Sequence, residues 1–297
     1  MRLSPLRSLA TVGEDSAQAV DIVVNVFERT YRRALSAAVL GDILADNRHA
    51  FARRVVLINN VTDLEDAIAR AQRLLDDGAI DEFHLVAEWL DRALSTSGLR
   101  RSDLEPLLHY SDGPLVAATL PGSPWFLYWD PEARLAEPCD WVASALGLMH
   151  SDPRVMIANP SWERPNADGR RPGVERESIE AHGEFVIGDG FSDQVFLASR
   201  AALAAPIYRQ RCIADITYPA AHKARVFEAR LAAHMRHNDR LRATSLAATY
   251  VSDTATGGSS YPPNGPIETA RYVLNALTLR ALRLSPWRPV CLRHTWL

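Results

Sequence analysis

An α/β fold with a mostly parallel sheet flanked by helices is what this sequence predicts, and three observations carry the prediction. Short apolar runs recur at Val20–Phe27 (VDIVVNVF), Arg54–Ile58 (RVVLI), Phe83–Ala87 (FHLVA) and Trp125–Trp129 (WFLYW). Their Val, Ile and aromatic density, and their length, are those of buried strands. Segments of helical period separate them, which is the pattern of βαβ units. Three of these runs then stop on polar groups: Glu28, Arg29 and Thr30; Asn59 and Asn60; Asp130. Beyond the carboxyl ends of strands is where α/β folds place ligands.

Bulk properties set the frame. The chain has 297 residues, 47% of them hydrophobic, and a formal net charge of -3. That is enough apolar material for one large α/β domain or two small ones, and it offers no electrostatic case for a nucleic-acid partner. Lys223 is the single lysine, so the arginine content reads as compositional bias. The charge is uneven, however: no acidic residue follows Glu268, whereas Arg271, Arg280, Arg283, Arg288 and Arg293 do. Cys139, Cys212 and Cys291 are far apart and at no metal-ligand spacing, which suits a reducing, cytoplasmic setting. No run approaches the roughly 18 apolar residues of a membrane span.

In chain order, residues 1–18 show no clear period and read as an N-terminal arm, and 19–253 form the main domain. After the first strand, Tyr31–Phe51 reads as helical. Asp63 caps a periodic helix ending near Gly78, with Leu64, Ile68, Ala71 and Leu75 at core spacing. Ser102 opens a further helical start, and His109–Thr119 is a loop feeding a small apolar helix. The strand Trp125–Trp129 then ends on Asp130-Pro131-Glu132, two carboxylates one proline apart. Asp before Pro also opens turns, so the stretch reads both as a turn and as a site.

Beyond it come a helix (Trp141–Met149), a strand (Arg154–Ala158) and a polar stretch, 163–184, long enough to be a lid. Gly188 to Asp193 is a turn-rich approach to a strand at Gln194–Ala198. A helix over Ala224–Asn238 and a last strand over Leu241–Val251 complete the domain. Residues 254–266 have linker composition, and 267–297 form a C-terminal helix and tail. The tail's mix of aromatic and basic residues suits docking back on the domain, a peripheral membrane contact or a partner. The helix itself offers a surface for homo-oligomerisation.

No G-x-G-x-x-G follows the first strand and no P-loop occurs. The order of parts instead resembles nucleotide-sugar glycosyltransferases of the GT-A fold (family 2-like). Their N-terminal half is a Rossmann-like nucleotide-binding unit, followed by an acceptor-side half, and a strand there ends in an Asp-x-Asp motif. Asp130-Pro131-Glu132 stands at that place as an Asp-x-Glu variant. The resemblance spans about residues 20–253 and rests on element order. It implies a donor nucleoside-diphosphate sugar, an acceptor small molecule or glycan, and Mn²⁺ or Mg²⁺ held by Asp130 and Glu132. A hard divalent cation stabilises the charge that grows on the diphosphate leaving group. Donor contacts are then expected from Asn25, Phe27, Glu28, Arg29, Asn59, Tyr110, Asp112 and Asp130.

An inverting transferase needs a carboxylate base for the acceptor hydroxyl. The candidates are Asp193 in GFSDQVF and Glu228 in VFEAR. Asp193 also reads as a turn carboxylate, and Glu228 as a helix residue paired with Arg225 or Arg230. His234 and His237 are three apart on one helix and read as surface residues. Trp162, beside the long polar stretch, could stack on a sugar. Val251-Ser252-Asp253 stands where related enzymes often have a metal-binding His. The competing functions are a nucleotidyltransferase of similar fold, whose glycine-rich basic loop VFERTYRRAL lacks, and a non-catalytic nucleotide- or partner-binding domain.

Overall fold

The computed structural model describes residues 18–218, 220–252 and 262–284. Nearly all of the expected N-terminal arm, residues 254–261 of the expected linker and the tail after 284 lie outside the described residues.

Among the described residues ten strands form one sheet. They are β1 (Val20–Val26), β2 (Arg53–Ile58), β3 (Glu82–Leu85), β4 (Trp125–Trp129), β5 (Ala133–Leu135), β6 (Val155–Ser161), β7 (Ser178–His182), β8 (Phe185–Gly188), β9 (Val195–Ser199) and β10 (Leu241–Ser252). Their order is β3-β2-β1-β4-β9-β6-β10-β8-β7, with β5 on β10. Strands β3, β2, β1 and β4 pair in parallel, and β6 pairs in parallel with β10. Between these groups β9 runs antiparallel to both β4 and β6. The sheet is therefore mixed but mostly parallel in strand direction, as expected.

Alternation along the strands splits the core between the two faces. Ile22 and Val24 of β1, with Leu127 and Trp129 of β4, join one cluster. It is covered by α1 (Tyr31–Ala34), α2 (Ala37–Asn47), α3 (Leu64–Asp76) and α6 (Val142–Ser151). Val23, Phe126 and Tyr128 point the other way, under α4 (Val86–Ser97), α5 (Asp112–Thr119), α8 (Arg200–Ala204) and α9 (Phe227–His237). Beneath the second face, Asp21 at the start of β1 is fully buried. It accepts hydrogen bonds from Arg53, Arg200 and Ser123, which tie β1, β2, the start of α8 and the turn before β4 together.

Local chemistry places the element ends. Asp63 caps α3 by accepting from the Asp66 amide, as the sequence predicts. The expected helix at 31–51 is two pieces. Ser36 accepts from the Val39 amide and restarts the chain as α2. On α3 the buried stripe is Ala67, Ala71 and Leu74, whereas Leu64 is 40% exposed. Of the expected inward positions Ala71 is buried and Ile68 and Leu75 are partly buried against the core, so Leu64 alone points away from it.

The 163–184 stretch is not a bare loop. It contains α7 (Pro172–Glu177) and β7, which forms a hairpin with β8 at the sheet edge. Glu163 fixes the start of α7 by accepting from the Gly173 and Val174 amides, at 2.6 and 3.1 Å. Gly188 is required where the hairpin meets α7, since a Cβ there would lie 2.1 Å from the Glu177 carbonyl oxygen. The last helix is α10 (Gly265–Leu284).

Candidate active site

Because β1, β2 and β4 are parallel, their polar C-terminal residues emerge at one edge of the sheet. Val24 lies beside Trp129, and Val26 beside Ile58. The antiparallel β9 delivers its N-terminal end to that same edge, and the Asp130 amide donates to the Gln194 carbonyl at 2.7 Å. A cavity of about 420 Å³ opens there. Its walls include Asn25, Phe27, Glu28, Arg29, Asn59, Tyr110, Asp130, Glu132 and Asp193, all expected site residues.

Two expected residues stand elsewhere. Asp112 is buried behind the wall, where its Oδ1 accepts from Asn59 Nδ2 and the Gly113 amide, each at 2.7 Å. It therefore sets the pose of Asn59 and lies outside the cavity lining. Glu228 sits in the first turn of α9, also outside the lining. It is close enough to Asp193 for their charges to interact. The lining also holds His109, Pro114, Tyr128 and Gln194, which the sequence reading did not select. Tyr128 looks like a core strand residue in sequence. Only strand pairing reveals that Gln194 neighbours Asp130.

At the Asp130-Pro131-Glu132 corner the turn and the site coexist. Asp130 Oδ1 accepts from the Glu132 amide at 2.9 Å, and the Asp130 carbonyl accepts from Ala133. Both carboxylates still border the cavity. Arg33 pins the turn from α1 through the Pro131 carbonyl at 2.9 Å. Arg29 reaches across to Glu132 at 3.3 Å and lies over the Phe27 ring. Glu28 is anchored by the Thr62 amide, which donates to it at 2.6 Å.

The cavity gathers more carboxylates than cations. Glu28, Asp130, Glu132 and Asp193 line it with Arg29 as the arginine among them. Burial, with the charges of Glu132 and Asp193, pushes Asp130 up to about 7, against the pull of the Glu132 amide and Arg29. Burial likewise raises Asp193 to about 6. Glu228 is held well above the carboxylate range, first by burial and then by Asp193 and Glu177. Asn25 presents a buried side-chain oxygen that has no hydrogen-bond partner among the described residues.

His234 Nδ1 is engaged by Gln210 Oε1 at 2.8 Å. One face of Trp162 is covered by the Arg242 guanidinium, 4.4 Å from the ring centre, which removes that face from sugar stacking. Among the described residues no group of three or more His, Cys, Asp and Glu is arranged to hold a metal ion. Protein carboxylates alone would therefore leave a cation at this corner incompletely ligated. Asp130 and Glu132 still fit a hard cation whose shell phosphates and water complete, because they are oxygen donors in an acidic pocket with excess negative charge.

No protein-family model matches this sequence, and neither does any curated protein. Solved structures do match in fold. A crystal structure of GalNAc-T7 with UDP, GalNAc and Mn²⁺ superposes with a TM-score of 0.50 at 9% sequence identity. The match covers 87% of this chain and 47% of that one, so the chain spans about half the length of its neighbour. The class this defines is a fold class: a GT-A-like mixed α/β sheet with its cleft at the C-terminal strand edge.

Proposed function

We propose that this protein is a glycosyltransferase that moves a sugar from a nucleoside-diphosphate donor to an acceptor hydroxyl or amine. One observation carries the reading: four carboxylates, Glu28, Asp130, Glu132 and Asp193, converge on a single cleft at the C-terminal edge of β1, β2 and β4. An anionic diphosphate is repelled by such a pocket unless a divalent cation stands between them. The fold likeness to a protein that binds UDP and Mn²⁺ supports the same reading and makes UDP the first nucleotide to test.

Each residue then has a defined task. Asn25 and Asn59 line the cavity beside the base or ribose, Asn59 is held in pose by Asp112, and Tyr110, 36% exposed, offers a ring for stacking. Asp130 and Glu132 would hold Mn²⁺ or Mg²⁺. When bound, that cation offsets the charge left on the departing diphosphate. Arg29 shares this task from the opposite wall. Asp193, which lines the cavity with a pKa raised to about 6, is the base we favour for the acceptor proton. It is mostly ionised at neutral pH yet basic enough to take a proton. Glu228 remains outside the lining, and the charge of Asp193 helps to hold its pKa up.

A thermal-shift panel of nucleoside diphosphates with and without Mn²⁺ tests the proposal. A ligand at about 100 times its Kd adds about 2.7 kcal/mol to stability, which is a rise of roughly 5–10 °C for a domain of this size. Asp130→Asn should abolish the Mn²⁺-dependent part of that rise. Silence towards every nucleotide would refute the transferase reading, and an unchanged Mn²⁺ response in Asp130→Asn would remove Asp130 from the metal site.

A further inference from the structure

Helix α10 carries an apolar stripe that nothing in the described structure covers. Ile267, Ala270, Val273, Leu274, Leu277 and Ala281 fall within an arc of about 120° on a helix of 3.6 residues per turn. All of them are exposed, with Ile267 at 70%, Leu274 at 63%, Leu277 at 58% and Val273 at 48%. A different side of the helix meets the domain. There Glu268 pairs with Lys223 at 3.3 Å, and Tyr272 meets the His222 ring edge-on at 5.2 Å. Asn275, Leu279 and Leu282 are partly buried on that side.

Exposed Arg271 and Arg280 flank the stripe on its two edges. No acidic residue follows Glu268, the carboxylate already paired with Lys223, while Arg283, Arg288 and Arg293 continue the basic run. We propose that α10 docks the protein on an anionic lipid surface, lying in the plane of the headgroups with the stripe facing the acyl chains. Charge decides among the possible occupants. A second copy packed stripe to stripe would set arginines against arginines with no carboxylate to pair them, and the protein's own basic tail meets the same repulsion. Phosphate headgroups neutralise the arginines while the apolar arc inserts. Among the described residues no helix is long and apolar enough to cross a membrane, so the helix lies on the surface.

The experiment is co-sedimentation of the full chain with vesicles of phosphatidylcholine alone or mixed with phosphatidylglycerol. The expected result is binding to the anionic vesicles that weakens as salt is raised to about 0.5 M, where surface charge is largely screened. Each arginine near such a surface is worth about five-fold in partitioning, so Arg271→Glu with Arg280→Glu should lower binding by about 25-fold or more. Leu274→Glu with Leu277→Glu should abolish it. These side chains are exposed, so an unchanged melting temperature verifies that the variants fold. The proposal is overturned by no binding, by equal binding to both vesicle types, or by binding that either variant pair leaves intact. A dimer that Leu274→Glu with Leu277→Glu dissociates, in a protein that ignores vesicles, would assign the stripe to a second copy and overturn it as well.

Discussion

Asp112→Asn should stabilise this protein at alkaline pH and leave its stability unchanged in acid. Asp112 is 6% exposed, and burial raises its pKa from 3.8 to about 6 despite hydrogen bonds from Asn59 and Gly113. For an acid whose folded pKa lies above its unfolded value, the folded state holds the proton more tightly. The resulting stability is full below the unfolded value and is lost as pH rises through about 6. The difference of about two pKa units corresponds to about 3 kcal/mol, an upper figure for the burden of the ionised group at pH 8. Asparagine carries no such burden, and its Oδ1 can accept the same two hydrogen bonds. A gain of about 1–3 kcal/mol means a melting temperature roughly 3–10 °C above the parent at pH 8. At pH 4 the two proteins should melt together. Thermal denaturation of both across this range, followed by circular dichroism, makes the comparison. A difference that does not vary with pH, or a variant less stable than its parent at pH 8, would refute the assignment of Asp112 as a buried carboxylate ionised against its environment.

Two further perturbations probe the frame and the pocket. Asp21→Asn leaves Arg200, itself 7% exposed, without its carboxylate. It should cost about 3–5 kcal/mol, read as a fall in the denaturant midpoint. Burial raises the pKa of Asp21, but hydrogen bonds from Arg53, Ser123 and Arg200 outweigh it and leave the pKa lowered. The stability it gives is therefore present above about pH 4 and drains away as pH falls through the folded value, a loss the variant should no longer show. Gly113→Ala would set a Cβ 2.8 Å from both Asn25 Oδ1 and the Tyr128 hydroxyl. The two side chains must move, so nucleotide affinity by calorimetry should fall about ten-fold or more, with a stability loss of about 1–3 kcal/mol.

The fold was legible wherever a strand or helix is defined by its own residues. β1 and β4 read correctly because runs such as VDIVV and WFLYW have one plausible use at that length, and α3 read correctly because Asp63 caps it. Strand direction was not legible. VFLAS is as apolar as any parallel strand, and its antiparallel course between β4 and β6 follows from pairing across about 70 residues of chain. The same limit applies at 163–184, where a polar composition concealed a short helix and hairpin. Their stability comes from the Glu163 cap and from pairing with β8, both of which depend on where the chain returns.

The site was legible for a related reason. A residue at or just after the end of a parallel strand has its position fixed by the sheet, so the sequence alone sets Asn25, Arg29, Asn59 and Asp130 on one cleft. What sequence spacing cannot convey is which of two neighbouring carboxylates faces the cavity and which supports it. Asp112 and Glu228 are as polar as Asp130 and Asp193, yet one holds Asn59 and the other stands in the first turn of α9, outside the cavity lining. The sorting is energetic. Asp112 keeps two donors on one oxygen, while Asp130 has a single amide on Oδ1 and Glu132 and Asp193 nearby. Bringing those three charges together is unfavourable in the free protein, and a divalent cation with its diphosphate would reverse the sign of that interaction. The unfavourable free state and the proposed ligand therefore follow from the same three residues.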